Sequence, residues 1–326
     1  MTQTPVRWGL LATGGIAHTF ARDLQLLPDA QLTAVGSRAR DTAERFADQY
    51  GIERAHGSYQ ALVEDPQVDV VYISTPHPGH FDAALAALQH GKAVLLEKPF
   101  TMDAEQAQRL VDTARQARVF LMEAMWTRFL PHVRRIGEIL AAGTLGEIVT
   151  VTADHGQWFE RDPRFRLFNP ELGGGALLDL GIYPVSFAHF VLGVPQTITA
   201  VSSPAFTGVD AQTAVILSYL GGAQAVLTTT SYARTPTTAV ISGTRARIEI
   251  AGDFYQPTTF KLIGRDGELL ENYDTIPPGR GMQFEAAETN RCLRQGLTES
   301  PLLPLDETVL IMRTMDAIRA QIGLSY

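Results

Sequence analysis

The sequence lacks several features that mark specialised classes of protein. Its single cysteine, Cys292, excludes an intrachain disulfide and is consistent with a reducing compartment. Its 27 Lys and Arg residues are scattered, and no basic run is longer than Arg134-Arg135, which argues against a nucleic-acid-binding face or a polybasic membrane patch. The N-terminus does not resemble a signal peptide, and no apolar segment approaches the ~20 residues that a membrane helix needs. We therefore expect a cytoplasmic protein that binds neither nucleic acid nor membrane.

The composition that is present is typical of a globular protein. Hydrophobic residues make up 45% and charged residues 19% of the 326 residues, and the net charge is −8. This length fits about two domains. We predict a dinucleotide-binding domain over residues 1–123 and a second domain over 124–304, with a C-terminal helix over 305–322 that packs back on the first domain.

Strand and helix patterns alternate through the first 123 residues. This alternation is typical of right-handed βαβ units and predicts a doubly wound parallel sheet, the Rossmann architecture. The predicted strands are 6–12, 31–36, 69–74, 93–96 and 119–122, and the predicted helices between them include 41–50, 59–64, 81–90 and 103–118.

A glycine turn follows the first predicted strand, with the sequence Ala12-Thr13-Gly14-Gly15-Ile16-Ala17. The dinucleotide fingerprint is G-x-G-x-x-G/A, so Ala12 replaces the first glycine and the match is partial. Gly14 stands where the backbone approaches a pyrophosphate, and a helix N-terminus offers N–H groups to phosphates. Two glycines in an ordinary turn are the alternative.

The second predicted strand ends about 20 residues beyond the glycine turn, where the residue that contacts the ribose is expected. NAD-binding sites carry Asp or Glu there, whereas this chain has Ser37 and Arg38. Because a guanidinium binds phosphate with two N–H groups, the pattern favours NADP, with NAD possible. The alternative is a solvated arginine that precedes a helix.

Further polar residues follow the neighbouring strands. Glu97, Lys98 and Pro99 end an apolar run, and the loop after strand 69–74 contributes Thr75, Pro76, His77 and His80. Ligands of open α/β sheets bind outside the carboxyl ends of the strands, so we expect these residues beside the cofactor. A surface lysine and capping histidines are the alternatives.

The pattern changes after Glu123. Segments of polar and apolar alternation predict one large, open, mostly antiparallel sheet. One face of this sheet must be covered, and the threonine-rich face is either solvated or pairs with a second subunit. The predicted strands are 197–202, 213–219, 223–231, 239–242, 246–251 and 259–263, after a first region at 145–152.

One helix is predicted inside this region, and Asp179 and Tyr183 lie on the same face because they are four residues apart. A buried tyrosine bonded to a carboxylate is the commoner explanation of such a pair. Beside a cofactor and a lysine, an acid and a phenol make a proton-transfer set.

These residues carry a resemblance to the glucose–fructose oxidoreductase, inositol dehydrogenase and MocA (Gfo/Idh/MocA) family, and within it to the branch of dihydrodiol and NADP-dependent D-xylose dehydrogenases. The resemblance rests on Glu97-Lys98-Pro99 and on segments 123–129 and 173–183, and it covers nearly the whole chain. It implies a Rossmann domain, a C-terminal open sheet and a cis Lys98–Pro99 bond. Most members of the family have His at the position of Tyr183, whereas this branch has Tyr.

The resemblance implies NADP-dependent oxidation of a hydroxyl of a sugar or cyclic diol, or reduction of the matching carbonyl. Tyr183 is the expected base, Lys98 the cation that stabilises its phenolate, and Asp179 a group that orients the sugar or Lys98. Trp126, Arg128 and Trp158 are expected to contact the substrate, and we expect no metal. An inositol or other sugar dehydrogenase, or a non-catalytic dinucleotide sensor, is the alternative. A homodimer or tetramer through the C-terminal sheet is expected.

Overall fold

The computed structural model describes residues 4–325. Six strands of the N-terminal region form one sheet in the order β3-β2-β1-β4-β5-β6, and every neighbouring pair is parallel. This order is that of the dinucleotide-binding Rossmann sheet. The strands are β1 Val6–Leu11, β2 Ala30–Gly36, β3 Arg54–His56, β4 Val70–Ile73, β5 Ala93–Glu97 and β6 Leu121–Ala124. Strand β3 was not predicted because its three residues are polar or small.

Helices connect these strands, and local sequence signals set several of their ends. The Asp103 carboxylate accepts a hydrogen bond from the Gln106 backbone N–H at 2.8 Å and so caps α5. The Ser58 hydroxyl caps α3 in the same way through the Ala61 N–H. The helices are α1 Gly15–Leu24, α2 Arg40–Tyr50, α3 Tyr59–Val63, α4 His80–Gln89 and α5 Ala104–Ala117. Every residue of β4 and β5 is buried, as expected for strands with both faces covered.

The second sheet has eight strands in the order β14-β13-β12-β11-β7-β10-β9-β8. All neighbours are antiparallel except β7 and β10, which are parallel. The strands are β7 Ile148–Gly156, β8 Thr197–Pro204, β9 Asp210–Ser218, β10 Gln224–Thr230, β11 Ala239–Gly243, β12 Ala246–Ile250, β13 Phe260–Gly264 and β14 Leu269–Tyr273. The predicted fold class, a Rossmann sheet plus a large and mostly antiparallel sheet, is confirmed.

The helix predicted around Asp179 is less regular than expected. A π-helix, Leu177–Gly181, leads directly into α7, Ile182–Leu192. Helix α6, Pro131–Ala141, is the other α-helix between β6 and β8. The segment Pro170–Leu192 has the length and mean hydropathy (1.4) of a membrane span, which corrects the statement that no apolar segment approaches that length. Its most apolar window is 83% buried inside the fold, as in the core helix of a soluble protein.

The chain divides into two compact units, and the division differs from the predicted domains. Unit 1 is Met1–Phe129 with Pro278–Val309, and unit 2 is Leu130–Pro277 with Leu310–Tyr326. The segment before α8 (Gln283–Arg294) joins unit 1 because the backbone N–H groups of Arg280 and Met282 donate to the Asp23 carboxylate. Contacts between residues so distant in sequence leave no local pattern. Helix α9, Leu305–Ile322, starts in unit 1 and ends in unit 2.

Candidate functional site

The glycine turn between β1 and α1 has an open backbone. Gly14 is the N-cap residue of α1, and within residues 4–325 no side chain accepts a hydrogen bond from the first N–H groups of the helix. The first turn of the helix also contains no acidic residue. A Cβ added at Gly14 or at Gly15 would meet no atom within 4 Å. The first N–H groups of α1 are therefore available to an anion, as dinucleotide phosphates require.

Ala12 keeps the turn in the shape that glycine normally provides. Its φ is +83°, which lies in the left-handed region where residues with a Cβ are strained. Its N–H donates to the Gly36 carbonyl at 3.0 Å, which fixes the end of β1 against β2. The replacement of the first fingerprint glycine therefore alters the side chain but not the left-handed backbone.

Ser37 and Arg38 follow β2, as predicted. Ser37 is buried, and its N–H donates to the His56 carbonyl at 3.1 Å. Arg38 is exposed, and within residues 4–325 no carboxylate forms an ion pair with it. The next arginine, Arg40, is instead paired with Glu44 at 2.8 Å. Arg38 therefore presents a guanidinium that can bind a phosphate.

Lys98 stands directly after β5, between a fixed carboxylate and a cis peptide bond. Glu97 is buried, and its Oε1 accepts a hydrogen bond from the Tyr72 hydroxyl at 2.5 Å. Its Oε2 accepts from the Lys98 backbone N–H at 3.0 Å. The Lys98–Pro99 bond is cis, as the resemblance implied. Lys98 itself is half-buried. Its backbone is thus tied to β4 and β5 at their carboxyl ends.

The loop after β4 lies at the same sheet edge. Thr75 is buried and its Oγ1 has no hydrogen-bond partner, so a polar atom is left for a ligand or water to satisfy. The two ring nitrogens of His80 contact the carbonyl oxygens of Pro99 (2.8 Å) and Thr75 (2.9 Å). Burial lowers the pKa of His80 to about 4, although the contacts with the two carbonyl oxygens oppose this shift. His80 therefore joins the two loops, and His77 packs beside it with ring centroids 5.7 Å apart.

Two residues predicted to contact substrate lie in the short helix Trp126–Phe129 of unit 1. Arg128 is buried, and its guanidinium donates to both carboxylate oxygens of Glu307 (2.6 and 3.3 Å) and to the Leu302 carbonyl. These contacts fix the guanidinium within unit 1, and the contact of Arg128 with the substrate stays a prediction. Trp126 is buried too, and the Arg280 guanidinium lies 5.6 Å from its ring centroid. The contact with Arg280 had no signal in the sequence.

In unit 2, Asp179 forms an ion pair that the sequence did not reveal. Arg166 donates to both carboxylate oxygens, Nη1 to Oδ1 and Nη2 to Oδ2, each at 2.9 Å. The Asp179 side chain is 6% exposed and that of Arg166 is 50% exposed. Such bidentate geometry holds the carboxylate in one orientation.

Tyr183 is the second residue of α7, so its four-residue spacing from Asp179 crosses a junction between a π-helix and an α-helix. Its side chain is buried in a group of aromatic rings: its centroid lies 5.2 Å from that of His155 and 4.8 Å from that of Tyr255.

Trp158, by contrast, is 66% exposed. The predicted site residues are therefore divided between the two units. Within the described residues, no group of three or more His, Cys, Asp or Glu side chains is placed to hold a metal ion.

Comparison with known proteins agrees with these two halves. A family model described as "Oxidoreductase family, NAD-binding Rossmann fold" matches residues 6–125, and one described as "GFO/IDH/MocA C-terminal domain" matches residues 133–249. The chain belongs to the GFO/IDH/MocA oxidoreductase family. The resemblance drawn from Glu97-Lys98-Pro99 and the glycine-rich segment is confirmed, and so is the prediction of an oxidoreductase.

Several members of the family resemble the chain over nearly its full length. It is 38% identical to trans-1,2-dihydrobenzene-1,2-diol dehydrogenase of Xenopus tropicalis, covering 98% of this chain and 99% of that protein. It is 36% identical to D-xylose 1-dehydrogenase (NADP(+)) of Hypocrea jecorina, covering 98% and 93%. A solved 3-ketoreductase from Actinomadura kijaniata, in complex with NADP and TDP-benzene, superposes with a TM-score of 0.86 at 28% identity and 98% coverage of both chains.

Proposed function

We propose that the protein is an NADP-dependent oxidoreductase that oxidises a hydroxyl of a sugar or cyclic diol, or reduces the matching carbonyl. The observation that carries this proposal is one edge of the Rossmann sheet. The uncapped N-terminus of α1, the exposed Arg38 guanidinium and the Lys98 ammonium all follow strands of that sheet at their carboxyl ends. The named activities of the similar dehydrogenases support the substrate class.

The residues after β1 and β2 fit a dinucleotide. The open backbone at Gly14 and the N–H groups of α1 suit a pyrophosphate, and Arg38 suits the 2′-phosphate that distinguishes NADP from NAD. The Thr75 hydroxyl, which lacks a partner in the protein, is a further polar group at that edge. When bound, the nicotinamide supplies the hydride-transfer chemistry.

In the proposed mechanism the residues of the chain move the proton. Tyr183 accepts the proton of the substrate hydroxyl during oxidation and returns it during reduction. A phenol has an ordinary pKa of ~10, so a base of this kind needs a cation to stabilise its phenolate. Lys98 supplies that charge, and each unit by which it lowers the pKa corresponds to about 1.4 kcal/mol. Asp179, oriented by Arg166, binds a substrate hydroxyl or the ammonium.

Purified Lys98→Met and Tyr183→Phe proteins test this assignment. Both should keep NADPH binding, measured by nucleotide fluorescence, and lose turnover of alcohols followed as NADPH absorbance. Near-normal turnover in both variants would refute the assignment. Retention of binding in a wild-type protein that turns over no member of a sugar and diol panel would point to a dinucleotide sensor instead.

The assembly and location are part of the proposal. The open face of the second sheet exposes Val201 (67%), Ile216 (43%) and Val226 (41%), and Ile216 is the cross-strand partner of Val226. We infer that a second copy covers this face in a homodimer, and that the protein is cytoplasmic. Light scattering of Val226→Lys should show a monomer; a wild-type monomer would contradict the inference.

A further inference from the structure

We propose that His155 is a positioning residue that holds the Tyr183 phenol in place for proton transfer. The inference rests on the proposed role of Tyr183 as the base. It uses only contacts within unit 2, and none of them involves a residue of the cofactor-binding sheet.

The first two contacts fix the His155 ring through its nitrogens. His155 is 1% exposed and lies near the end of β7. Its Nδ1 is 3.1 Å from the Leu180 carbonyl oxygen, and because a carbonyl only accepts, Nδ1 carries the hydrogen. Its Nε2 is 3.0 Å from the Gln157 amide nitrogen, which donates to it. The two partners therefore select one neutral tautomer and one ring plane.

The other two contacts pass from this ring to Tyr183. The His155 ring stacks on Tyr255, with centroids 4.3 Å apart and planes at 28°. It meets Tyr183 edge-on, with centroids 5.2 Å apart and planes at 64°. Tyr255 closes the group, since its centroid is 4.8 Å from that of Tyr183. Two rings thus pack against the phenol, and a buried ring in such a group has little freedom to tilt.

The Leu180 contact also reaches the backbone that carries the phenol. Leu180 lies in the π-helix Leu177–Gly181, three residues before Tyr183. In a π-helix the backbone bonds run from i to i+5, a rare arrangement that occurs mostly at functional sites. His155 supplies a side-chain donor to a carbonyl of this turn, and so joins the irregular turn to a central strand of the sheet. The Thr229 hydroxyl in turn donates to the His155 carbonyl at 3.0 Å, which ties that strand to β10.

This arrangement differs from that of a core aromatic residue. Phenylalanine would fill the same space and stack on Tyr255, but it would leave the Leu180 carbonyl and the Gln157 amide without these partners. A group that only fills the core affects stability, whereas one that orients the base affects the rate of the chemical step. The two roles are separable by kinetics.

The test uses two variants at different distances from the phenol. His155→Phe keeps an aromatic ring and removes both hydrogen bonds. We expect kcat to fall about 10- to 100-fold, as it does when a reacting group is slightly misplaced. KM and the affinity for NADPH should stay within about twofold of the wild type. Gln157→Leu keeps the His155 ring and its bond to Leu180, and it removes the donor to Nε2 together with a longer hydrogen bond to the Tyr255 hydroxyl (3.4 Å). It should lower kcat by a smaller factor than His155→Phe does. Because Gln157 is only partly buried, this variant keeps the test available if His155→Phe does not fold.

The deciding measurement is the same substitution in a Tyr183→Phe background, by single-turnover kinetics. If His155 acts through the phenol, His155→Phe causes little further loss there. Equal losses in both backgrounds, or a normal kcat in His155→Phe and Gln157→Leu, would overturn the proposal. A Tyr183→Phe protein with normal turnover would instead overturn the proposed role of Tyr183 as the base, so the two failures are distinguishable.

Discussion

Asp210 leads to a prediction about stability because it is buried without a cation. It is the first residue of β9, and its Oδ2 accepts hydrogen bonds from the Leu177 backbone N–H (2.7 Å) and the Thr213 hydroxyl (3.2 Å). Its Oδ1 has no partner. Burial raises the pKa of Asp210 to about 6 from the model-compound value of 3.8, although these hydrogen bonds oppose the shift. We expect Asp210→Asn to keep the acceptor for Leu177 and remove the buried charge.

The sign and size of the effect of Asp210 on the free energy of unfolding follow from the difference between its pKa in the folded and the unfolded state. Below pH ~4 Asp210 is protonated in both the folded and the unfolded state, so it adds no pH dependence. Between pH ~4 and ~6 the folded state binds the proton more tightly, and the free energy of unfolding falls as the pH rises. The full cost above pH ~6 is about 3 kcal/mol, at about 1.4 kcal/mol per pKa unit. From pH 4.5 to 7, Asp210→Asn should gain about 2 kcal/mol relative to the wild type.

Urea unfolding at several pH values between 4.5 and 7.5 measures this difference directly. Asp48→Asn, which removes an exposed carboxylate, is the matched control and should show no such gain. Asp210→Ala should lower the free energy of unfolding by about 1 kcal/mol relative to Asp210→Asn at every pH, because the Leu177 N–H loses its acceptor. A difference between Asp210→Asn and the wild type that stays constant over this range would refute the reasoning.

Three further predictions concern other parts of the molecule. Gly14→Ala should leave the melting temperature unchanged, because its Cβ meets no protein atom within 4 Å, and should weaken NADPH binding at least about tenfold in a fluorescence titration. Cys292 should not react with a thiol reagent at pH 8 until the protein is unfolded, since burial raises the pKa of its thiol to about 12. Arg166→Met should lower kcat/KM, because the Asp179 carboxylate loses the bidentate partner that holds its orientation.

Each of these predictions has a matched comparison. At Gly36 an added Cβ would lie 2.9 Å from the Leu62 Cβ, so Gly36→Ala should lower the melting temperature where Gly14→Ala does not. Arg164 pairs with Asp162 on the surface, and its side chain is 89% exposed, so Arg164→Met should leave kcat/KM unchanged. A native Cys292 that reacts at the rate of a free thiol would contradict the second expectation, and an Arg166→Met protein with the kcat/KM of the wild type would contradict the third.

Local patterns were sufficient to predict most of the fold. Buried parallel strands are continuous apolar runs, and the half-covered second sheet alternates polar with apolar residues, so both were visible in single segments. The same holds for Gly14, Arg38 and Lys98, whose places depend only on the strand that each follows. Strand β3 was missed because a three-residue strand of polar and small residues has no hydrophobic period.

The residues that support the site were not predictable in this way. Arg166 forms an ion pair with Asp179. Asp210 of β9 accepts a hydrogen bond from the backbone of Leu177. His155 of β7 packs against the Tyr183 ring. Tertiary packing determines each of these contacts, and no local pattern in a single sequence predicts them. The π-helix escaped prediction for a related reason, since the residues of Leu177–Gly181 are equally compatible with an α-helix.

The parallel pairing of β7 with β10 limits the order in which the second unit can fold. His155 and Thr229 pair across these strands although 74 residues separate them, and the π-helix and Tyr183 lie in the chain between them. Strand partners so far apart in sequence form slowly, because the intervening chain loses its freedom before the pairing gives any stabilisation. During synthesis, the ring group around Tyr183 therefore cannot close until β10 and Tyr255 have been made, so this part of the second unit folds late.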